Sequence, residues 1–377
     1  MASAIDTQRL VTRLKELCAI RAPSRRERPV RDYVHAYWSQ RRDSGLTWKE
    51  SAAIPGDGDT ANILMTIPGN TEPLLLCAHM DTVPVRETES IAVLEKDGVL
   101  RSDGTTILGG DDRAGIALAL EMIDLCLALP AEARPSLEIL FTVQEEIGCL
   151  GSRDHGFPEL RSKTCYNLDG ETPPGSIITA APYKDRFSCD VRGRSSHAAL
   201  EPELGRNAIR YAAQLILALP QGRVDGETTM NIGSISGGGQ TNVVPDKASF
   251  TGELRSFSEG HFNEMKNLIG GICTPPESDE GYSAELIWEH LYDGYDVPPE
   301  APVVRRFRTA CGAKNIEPEL IRSAGGGDAN NLNAQGISTV VFGVGMHEIH
   351  STGEYLVIAE YLTASQLLAE VLFSTRV

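Results

Sequence analysis

The chain has 377 residues, of which 41% are hydrophobic and 23% charged, and this length allows two domains. Its formal net charge is -17, because 52 acidic residues outnumber 35 basic ones, which argues against nucleic acid and anionic membranes as partners. The N-terminus lacks the apolar core of a signal peptide, and no apolar stretch approaches the length of a membrane span. The eight cysteines form no C-x-x-C pair, so the sequence predicts a cytoplasmic protein with reduced, structural thiols.

The first half of the chain alternates between helical and strand-like patterns. Helices are predicted at Ile5–Ala19 and Arg26–Arg42, with Ser24 as a candidate N-cap of the second. A Gly-rich segment at 109–115 opens a long apolar helix that continues through Leu129. The predicted strands lie at Asn62–Ile67, Pro73–Ala78, 137–143 and Lys163–Leu168. Strands alternating with helices predict a parallel sheet, in which functional groups gather beyond the strand ends.

The pattern changes near Ala180-Ala181-Pro182. From Phe187 to about Tyr292 it predicts a strand, a helix, further strands, a helix and a strand. The helices are predicted at Glu203–Leu219 and Glu259–Ile269, and Phe250–Phe257 alternates like a half-exposed strand. This block is large enough to be a domain inserted into the first.

After Pro298-Pro299 the strand–helix alternation resumes. The predicted elements are a helix near 301–312, a Gly-rich loop at 325–327, a strand at Thr339–Phe342 and a terminal helix at Ala359–Leu372. We therefore expect an α/β fold with a mixed, mostly parallel sheet flanked by helices and an inserted α+β domain. The expected boundaries are 1–182 and 294–377 for the first domain and 183–293 for the inserted one.

One apolar run, at 137–143, is followed closely by two adjacent carboxylates, Glu145 and Glu146, and then by Gly148. Within a strand, neighbouring side chains point to opposite faces, so such a pair would bury one charge. In the turn after the strand, both carboxylates can reach one polar site. That placement suits a pair in which one carboxylate binds a metal and the other handles a water.

Comparable polar residues stand at other predicted strand ends and helix starts: His79 with Asp81, Asp111, Asp169, and His350 near the C-terminus. Histidine and carboxylate ligands suit zinc, with cobalt or manganese as alternatives. Two metals about 3.5–4 Å apart require a shared carboxylate between them. Asp81 is placed to accept the second N–H of the His79 ring.

Each of these motifs also has a structural explanation. A single histidine after a strand is usually a surface or core residue, an Asp-Asp pair before a helix is usually an N-cap, and a Glu pair after a strand is usually solvated. Their joint occurrence at successive strand ends is much harder to explain by coincidence.

The sequence resembles the peptidase T-like metallopeptidases, within the larger family of cocatalytic zinc exopeptidases and amidohydrolases. The motifs that carry the resemblance are A-H-M-D-T-V-P at 78–84, G-G-D-D-R-A-G-I-A at 109–117, E-E-I-G at 145–148, L-D-G at 168–170, S-H-A at 196–198, T-N-V-V-P-D-K-A at 241–248, G-G-G-D-A-N at 325–330 and H-S-T-G-E-Y at 350–355. They span nearly the whole chain. The resemblance implies a catalytic metal-binding domain of the zinc-exopeptidase type and an inserted lid or dimerisation domain.

The resemblance also implies two divalent ions, most simply zinc, with a set of five ligands: His79 and Asp169 at one ion, Glu146 and His350 at the other, and Asp111 between them. Glu145 is implied as the general base that takes a proton from the metal-bridging water and returns it to the leaving amine. Asp81 is implied as a catalytic residue beside His79. The peptide bond between Asp111 and Asp112 is often cis in such proteins.

Three residues of the inserted domain are implied to contact the substrate. His197 would stabilise the oxyanion, Arg255 would hold a substrate carboxylate, and Asn242 is a further candidate for substrate contact. An alternating strand also exposes arginines routinely, so a surface role for Arg255 stays open. The resemblance leaves open both a monomer and a homodimer formed through this domain.

The sequence departs from the family pattern at two positions. Arg113 stands where peptidase T usually has Lys, and Gly327 stands where Thr or Ser is common. His347 is an alternative metal ligand, because it lies three residues before His350, but the H-S-x-x-E context favours His350.

These observations predict a cytoplasmic, metal-dependent exopeptidase that releases the N-terminal residue from short peptides, as tripeptidases do. A carboxypeptidase or an N-acyl-amino-acid hydrolase would use the same metal chemistry and remains an alternative. A catalytically silent binding protein is a remote alternative, because it predicts loss of ligands or of the base, and all of them are present.

Overall fold

The computed structural model describes residues 5–84, 91–274 and 281–373. The chain divides into two compact units: unit 1, formed by Met1–Ala180 and Asp296–Val377, and unit 2, formed by Ala181–Tyr295. The predicted boundaries, 182/183 and 293/294, lie within two residues of this division.

The helices account for most of the periodic apolar segments. They are α1 (Thr7–Cys18), α2 (Arg28–Ser39), α3 (Gly110–Leu127), α4 (Leu150–Arg153), α5 (Ala208–Ala218), α6 (Glu259–Cys273), α7 (Pro302–Ala313), α8 (Asp328–Ala334) and α9 (Ile358–Phe373). Short 3-10 helices lie at Arg42–Ser44, Ala131–Ala133 and Pro202–Leu204. In α1 the side chain of Asp6 caps the first turn by accepting from the Arg9 amide, and the apolar stripe faces inward.

The strands of the described residues are β1 (Thr47–Glu50), β2 (Ile63–Ile67), β3 (Leu74–His79), β4 (Leu94–Lys96), β5 (Val99–Arg101), β6 (Leu137–Thr142), β7 (Thr164–Gly170), β8 (Ser176–Ala181), β9 (Tyr183–Arg192), β10 (Gly222–Arg223), β11 (Thr228–Gly237), β12 (Lys247–Ser256), β13 (Ser283–Tyr292), β14 (Tyr295–Asp296), β15 (Glu319–Arg322), β16 (Ser338–Gly343), β17 (Met346–His347) and β18 (Tyr355–Val357).

The main sheet of unit 1 has the strand order β1-β2-β6-β3-β7-β16-β8, with β15 also paired to β8. The pairs β3–β6, β3–β7, β7–β16 and β8–β15 are parallel, whereas β1–β2, β2–β6 and β8–β16 are antiparallel. Every residue of β3 and β6 is buried, as expected for central strands covered on both faces. The predicted mixed, mostly parallel sheet flanked by helices is confirmed.

Unit 2 contains an antiparallel sheet of order β10-β11-β12-β9-β13. Its core joins inward residues of the sheet, such as Phe187 and Phe250, to the apolar faces of α5 and α6, which contribute Tyr211 and Phe262. A separate α+β unit with the predicted order of elements is thus present.

Two predicted helix starts are wrong. The second helix begins at Arg28 rather than Arg26, with Glu27 at its N-cap position, and Ser24 instead donates its hydroxyl to Asp81. The helix predicted from Glu203 begins at Ala208, because Asn207 caps it by accepting from the Arg210 amide.

All eight cysteines are buried and none forms a disulfide. This agrees with the predicted structural thiols. Among the described residues, no helix is both long and apolar enough to cross a bilayer.

Glu27 links the start of α2 to the turn after β6. Its Oε1 accepts from the amides of Arg25, at 2.9 Å, and Gln144, at 3.0 Å. Its Oε2 is buried and has no hydrogen-bond partner among the described residues. Burial, opposed in part by these amides, raises the pKa of Glu27 to about 7. A neutral side chain therefore suits this position better than a charged one.

The variant Glu27→Gln is expected to gain stability relative to the wild type as the pH rises. The unfolded carboxyl ionises near its ordinary pKa of 4.5 and the folded one near 7, so the wild type loses stability across that interval, by up to about 3 kcal/mol. Melting temperatures of both proteins at about pH 5 and pH 8 measure the difference. The exposed Glu132 gives a matched control, Glu132→Gln, and a constant difference for Glu27→Gln across this range would contradict the prediction.

Candidate metal centre

The predicted ligands lie at one edge of the main sheet because neighbouring parallel strands end there. His79 is the last residue of β3, Glu145 and Glu146 follow β6, and Asp169 lies near the end of β7. Since β3 pairs in parallel with both β6 and β7, their carboxyl ends meet. Asp111 lies in the first turn of α3.

One cluster of possible ligand atoms contains His79, Asp111 and Asp169, whose donor atoms all lie within 4.8 Å of one another. The Nε2 atom of His79 is 2.9 Å from Oδ1 of Asp111 and 3.6 Å from Oδ1 of Asp169. All three side chains are largely withdrawn from solvent. The cluster offers one imidazole nitrogen and two carboxylates to a cation.

A second cluster contains Asp111, Glu146 and His350, again within 4.8 Å. The Nε2 atom of His350 is 3.0 Å from Oδ2 of Asp111 and 2.9 Å from Oε2 of Glu146. Asp111 therefore faces the two histidines with different oxygens, Oδ1 toward His79 and Oδ2 toward His350. This is the arrangement that a bridging carboxylate requires.

Acidic side chains dominate the electrostatics of the two clusters. Burial alone would lower the pKa of His79, but Asp169, Asp111 and Asp81 together raise it well above its ordinary value. Hydrogen bonds to Asp111 and Glu146 raise the pKa of His350 to about 11. Burial and the neighbouring Asp111 raise the pKa of Asp169 to about 8. The protonated forms of His79, His350 and Asp169 are therefore favoured, and two divalent cations could take the place of these protons at the same donors.

Asp81 connects His79 to the Glu pair. Its Oδ1 lies 3.3 Å from Nδ1 of His79, close enough for an ionic contact but not aligned as a hydrogen bond. Its two oxygens accept from the amides of Glu145, at 2.9 Å, and Glu146, at 3.1 Å, and Oδ2 also accepts from Ser24. The sequence predicted the contact with His79 but not the support of the two glutamates.

Glu145 is half-buried beside both clusters. Its Oε1 accepts from the thiol of Cys149 at 3.3 Å. Burial, together with the charges of Asp169, Asp328 and Glu146, raises the pKa of Glu145 well above its ordinary value. A carboxyl group with a raised pKa holds a proton more readily than an ordinary one, which suits a group that must accept a proton and later release it.

Residues around Asp111 fix the start of α3. The peptide bond between Asp111 and Asp112 is cis, as the resemblance implied. Asp112 accepts from the amides of His79, at 3.2 Å, and Gly115, at 2.9 Å. The fully buried Arg113 donates from Nη1 to the carbonyl of Met80 at 2.7 Å. These contacts tie the end of β3 to the turn that carries Asp111.

His347 is engaged outside both clusters. Its Nε2 lies 2.7 Å from Oε2 of Glu360, and its ring stacks on Tyr355 with centroids 4.6 Å apart. His350, three residues later, contacts Asp111 and Glu146 instead.

The three predicted substrate residues lie in unit 2. Nδ1 of His197 accepts from the amides of Ala199 and Leu200, at 3.2 and 3.1 Å, so the neutral ring carries its proton on Nε2. The carbonyl of Asn242 accepts from the Ala198 amide at 3.0 Å, which brings Asn242 next to His197. Arg255, on β12, donates to Glu253. Their roles toward a substrate stay predictions.

Two segments of the chain match known peptidase families. Residues 185–274 match the peptidase dimerisation domain, and residues 62–215 match peptidase family M28. The aminopeptidase PepT from Bacillus cereus has a solved crystal structure, and its sequence is 30% identical to that of this chain. The two structures superpose with a TM-score of 0.88 and with 98% of each chain covered. The chain belongs to the peptidase T-like metallopeptidases.

Other relatives agree with this placement. A tripeptidase from Staphylococcus aureus is 29% identical to this peptidase, with 98% of this chain and 99% of the other covered and a TM-score of 0.90. An acetylornithine deacetylase from Myxococcus xanthus is 28% identical over 94% of each chain. The predicted family and the prediction that the protein is a peptidase are confirmed.

Glu354 is a residue of this peptidase whose role the sequence did not reveal. It is buried, and its Oε2 accepts from the Gly109 amide at 2.8 Å while its Oε1 accepts from the Asp111 amide at 3.2 Å. A Cβ at Gly110 would lie 3.1 Å from Oε1. Glu354 therefore joins the segment after His350 to the turn that carries Asp111. The H-S-x-x-E motif contained this residue but did not indicate its contact.

The variant Glu354→Gln is expected to weaken metal affinity by about 10- to 100-fold, as is usual when an outer-shell partner of a ligand is lost. The amide nitrogen of glutamine cannot accept from a backbone N–H, so one of the two contacts to Gly109 and Asp111 is lost. Competition with a chromophoric chelator for zinc measures the affinity. Glu348→Gln, at an exposed position of the same loop, is the matched control, and equal affinities for the two variants would contradict the prediction.

Proposed function

We propose that this peptidase is a metal-dependent exopeptidase that releases the N-terminal residue of short peptides, with two divalent cations held by the two clusters. His79 and Asp169 would hold one cation, Glu146 and His350 the other, and Asp111 both. The observation that carries the proposal is the contact of the two Asp111 oxygens with two different histidines. Nitrogen and carboxylate donors favour zinc, and cobalt or manganese would also fit them.

When bound, two such cations polarise the scissile carbonyl and acidify the attacking water. Glu145 takes the proton from that water and delivers it to the leaving amine. Its raised pKa suits both steps, because the same group must be a base first and an acid afterwards. Asp81 holds the backbone amides of Glu145 and Glu146 and thereby orients the base relative to the second cluster.

The residues of unit 2 would act on the substrate. His197 is assigned to stabilise the oxyanion, and the two amides that bond its Nδ1 support this assignment, because they leave an N–H on Nε2 for donation. Arg255 is assigned to a substrate carboxylate, with Glu253 orienting its guanidinium. Asn242 lies beside His197 and is assigned as a further contact.

Unit 2 is also the proposed site of homodimer formation. The match of residues 185–274 to a peptidase dimerisation domain supports this assignment. The molecular mass in solution, measured by light scattering, tests it.

The relatives support the choice of the peptide end at which cleavage is proposed. The similarity to an aminopeptidase and to a tripeptidase favours release of the N-terminal residue. An N-acyl-amino-acid hydrolase is the second candidate, because the acetylornithine deacetylase is similar over nearly the whole chain. The metal chemistry of the two candidates is the same, so the substrate decides between them.

A metal-reconstituted assay on di-, tri- and tetrapeptides with free and blocked termini tests the proposal. Mass spectrometry identifies which residue is released. We expect cleavage of a tripeptide after its first residue and no cleavage when its amine is acetylated. Cleavage of acetylated substrates alone would establish the hydrolase, release of the last residue would establish a carboxypeptidase, and no turnover of any substrate would leave a silent binding protein.

A further inference from the structure

A third cluster of possible ligand atoms lies beside the two described above. It consists of Glu145, Cys149 and Asp328, whose donor atoms all lie within 4.8 Å of one another. The Sγ atom of Cys149 is 3.3 Å from Oε1 of Glu145. In a tetrahedral zinc site, bonds of about 2.3 Å to sulfur and about 2.1 Å to oxygen place the two donors about 3.6 Å apart. The thiol and the carboxylate are already close to that separation.

The surrounding residues hold these donors in place. The amide of Cys149 donates to the carbonyl of Glu145 at 2.7 Å, and Nδ2 of Asn331 donates to the carbonyl of Cys149 at 3.0 Å. The carboxylate of Asp328 accepts from the hydroxyls of Thr142 and Ser152, one at each oxygen. Each of those oxygens keeps a second lone pair for a further partner. Such contacts orient ligands in known metal sites.

Gly327 approaches the base closely. A Cβ at position 327 would lie 3.0 Å from Oε1 of Glu145, so a side chain at this position would crowd the oxygen that Cys149 contacts.

The set of donor atoms suits a thiophilic cation. Cys149 offers a sulfur, and Glu145 and Asp328 each offer a carboxylate oxygen. Cys149 and Asp328 are buried and Glu145 is half-buried, and a thiolate among the ligands favours soft or borderline cations over hard ones.

We propose that Glu145, Cys149 and Asp328 form a third, inhibitory site for a thiophilic divalent cation, such as cadmium or excess zinc. On binding, the Cys149 S–H bond breaks, its proton passes to solvent, and a sulfur–metal bond forms without any change of oxidation state. The carboxylate of Glu145 becomes a ligand and can no longer accept a proton from the attacking water. The proposal rests on the role of Glu145 in the proposed function.

Cadmium titration of the enzyme loaded with its two cations tests the third site. Cadmium–thiolate absorption in the ultraviolet reports on binding independently of activity. We expect the wild type to gain one cadmium–thiolate bond per chain and to lose peptidase activity in parallel. In Cys149→Ser the absorption should be absent, and about 100-fold more cadmium should be needed for half-inhibition relative to that variant's own activity.

Two further variants complete the test. Cys126→Ser removes a buried thiol of α3 and should respond to cadmium as the wild type does. Asp328→Asn should keep the thiolate absorption but require more cadmium for it. Equal inhibition of the wild type and Cys149→Ser, by cadmium or by excess zinc, would overturn the proposal, and so would thiolate absorption that persists in Cys149→Ser.

The experiments distinguish a failure of the third-site proposal from a failure of the proposed function. If the third site is wrong, peptide cleavage and its dependence on Glu145 are unaffected. If the proposed function is wrong, the tripeptide with a free amine is not cleaved after its first residue, yet the cadmium–thiolate absorption still shows whether Cys149 binds the cation.

Discussion

The variant Glu145→Gln is expected to lower kcat for peptide cleavage by about 10²- to 10⁴-fold and to retain both cations. Glutamine keeps the size of the side chain but cannot take a proton from the attacking water. None of the contacts of the two metal clusters passes through Glu145, so the metal content should stay at the wild-type value. Steady-state kinetics and elemental analysis on the same preparation measure the two quantities.

The control for this experiment is Glu171→Gln, at an exposed position just after β7. It makes the same change of charge after another strand of the same sheet and should leave kcat within about 2-fold of the wild type. Retained activity in Glu145→Gln would remove this residue from its proposed role. Loss of a metal from Glu145→Gln would mean that Glu145 is a ligand rather than the base.

The second large effect is expected from a comparison of His350 with His347. His350→Ala is expected to release one of the two cations and to abolish cleavage, because it removes the nitrogen that faces Asp111 and Glu146. Loss of one of three protein ligands leaves two carboxylates, which bind zinc too weakly at neutral pH to survive dialysis. Elemental analysis after dialysis against buffer should find about one metal per chain instead of two.

His347→Ala is the matched control, because it removes the same side chain three residues earlier. Its contacts with Glu360 and Tyr355 stabilise the loop, so we expect a lower melting temperature and a nearly full complement of metal. Equal metal loss from the two variants would contradict the assignment of His350 and return His347 to the ligand set.

Short motifs at the strand ends were enough to predict which side chains come together. His79, Asp111 and Asp169 each lie at, or one residue from, the end or start of a regular element, and the parallel order of the strands then brings them to one edge. The alternation of strands and helices along the sequence predicted this parallel order of the strands. Local patterns therefore predicted the fold class and the candidate ligands, whereas the division of these ligands into two clusters came from the resemblance to the peptidase family.

Contacts between distant segments could not be predicted in this way. Glu354 binds the Gly109 amide, and Asp328 accepts from Thr142, across separations that no local pattern encodes. The same holds for Asp81, whose contact with the Glu145 amide depends on how two strands end relative to each other. Helix starts were missed for a local reason, since Asn207 proved a better cap than the residues before it.

The position of β16 determines when the centre can be completed during synthesis. This strand lies between β7 and β8, although the whole of unit 2 separates it from them in the chain. His79, Asp111 and Asp169 leave the ribosome early, whereas His350 follows only after unit 2 and β16 have emerged. A nascent chain that stops before β16 contains the residues of the first cluster but lacks His350 of the second. The two clusters therefore become complete together only after His350 has been translated.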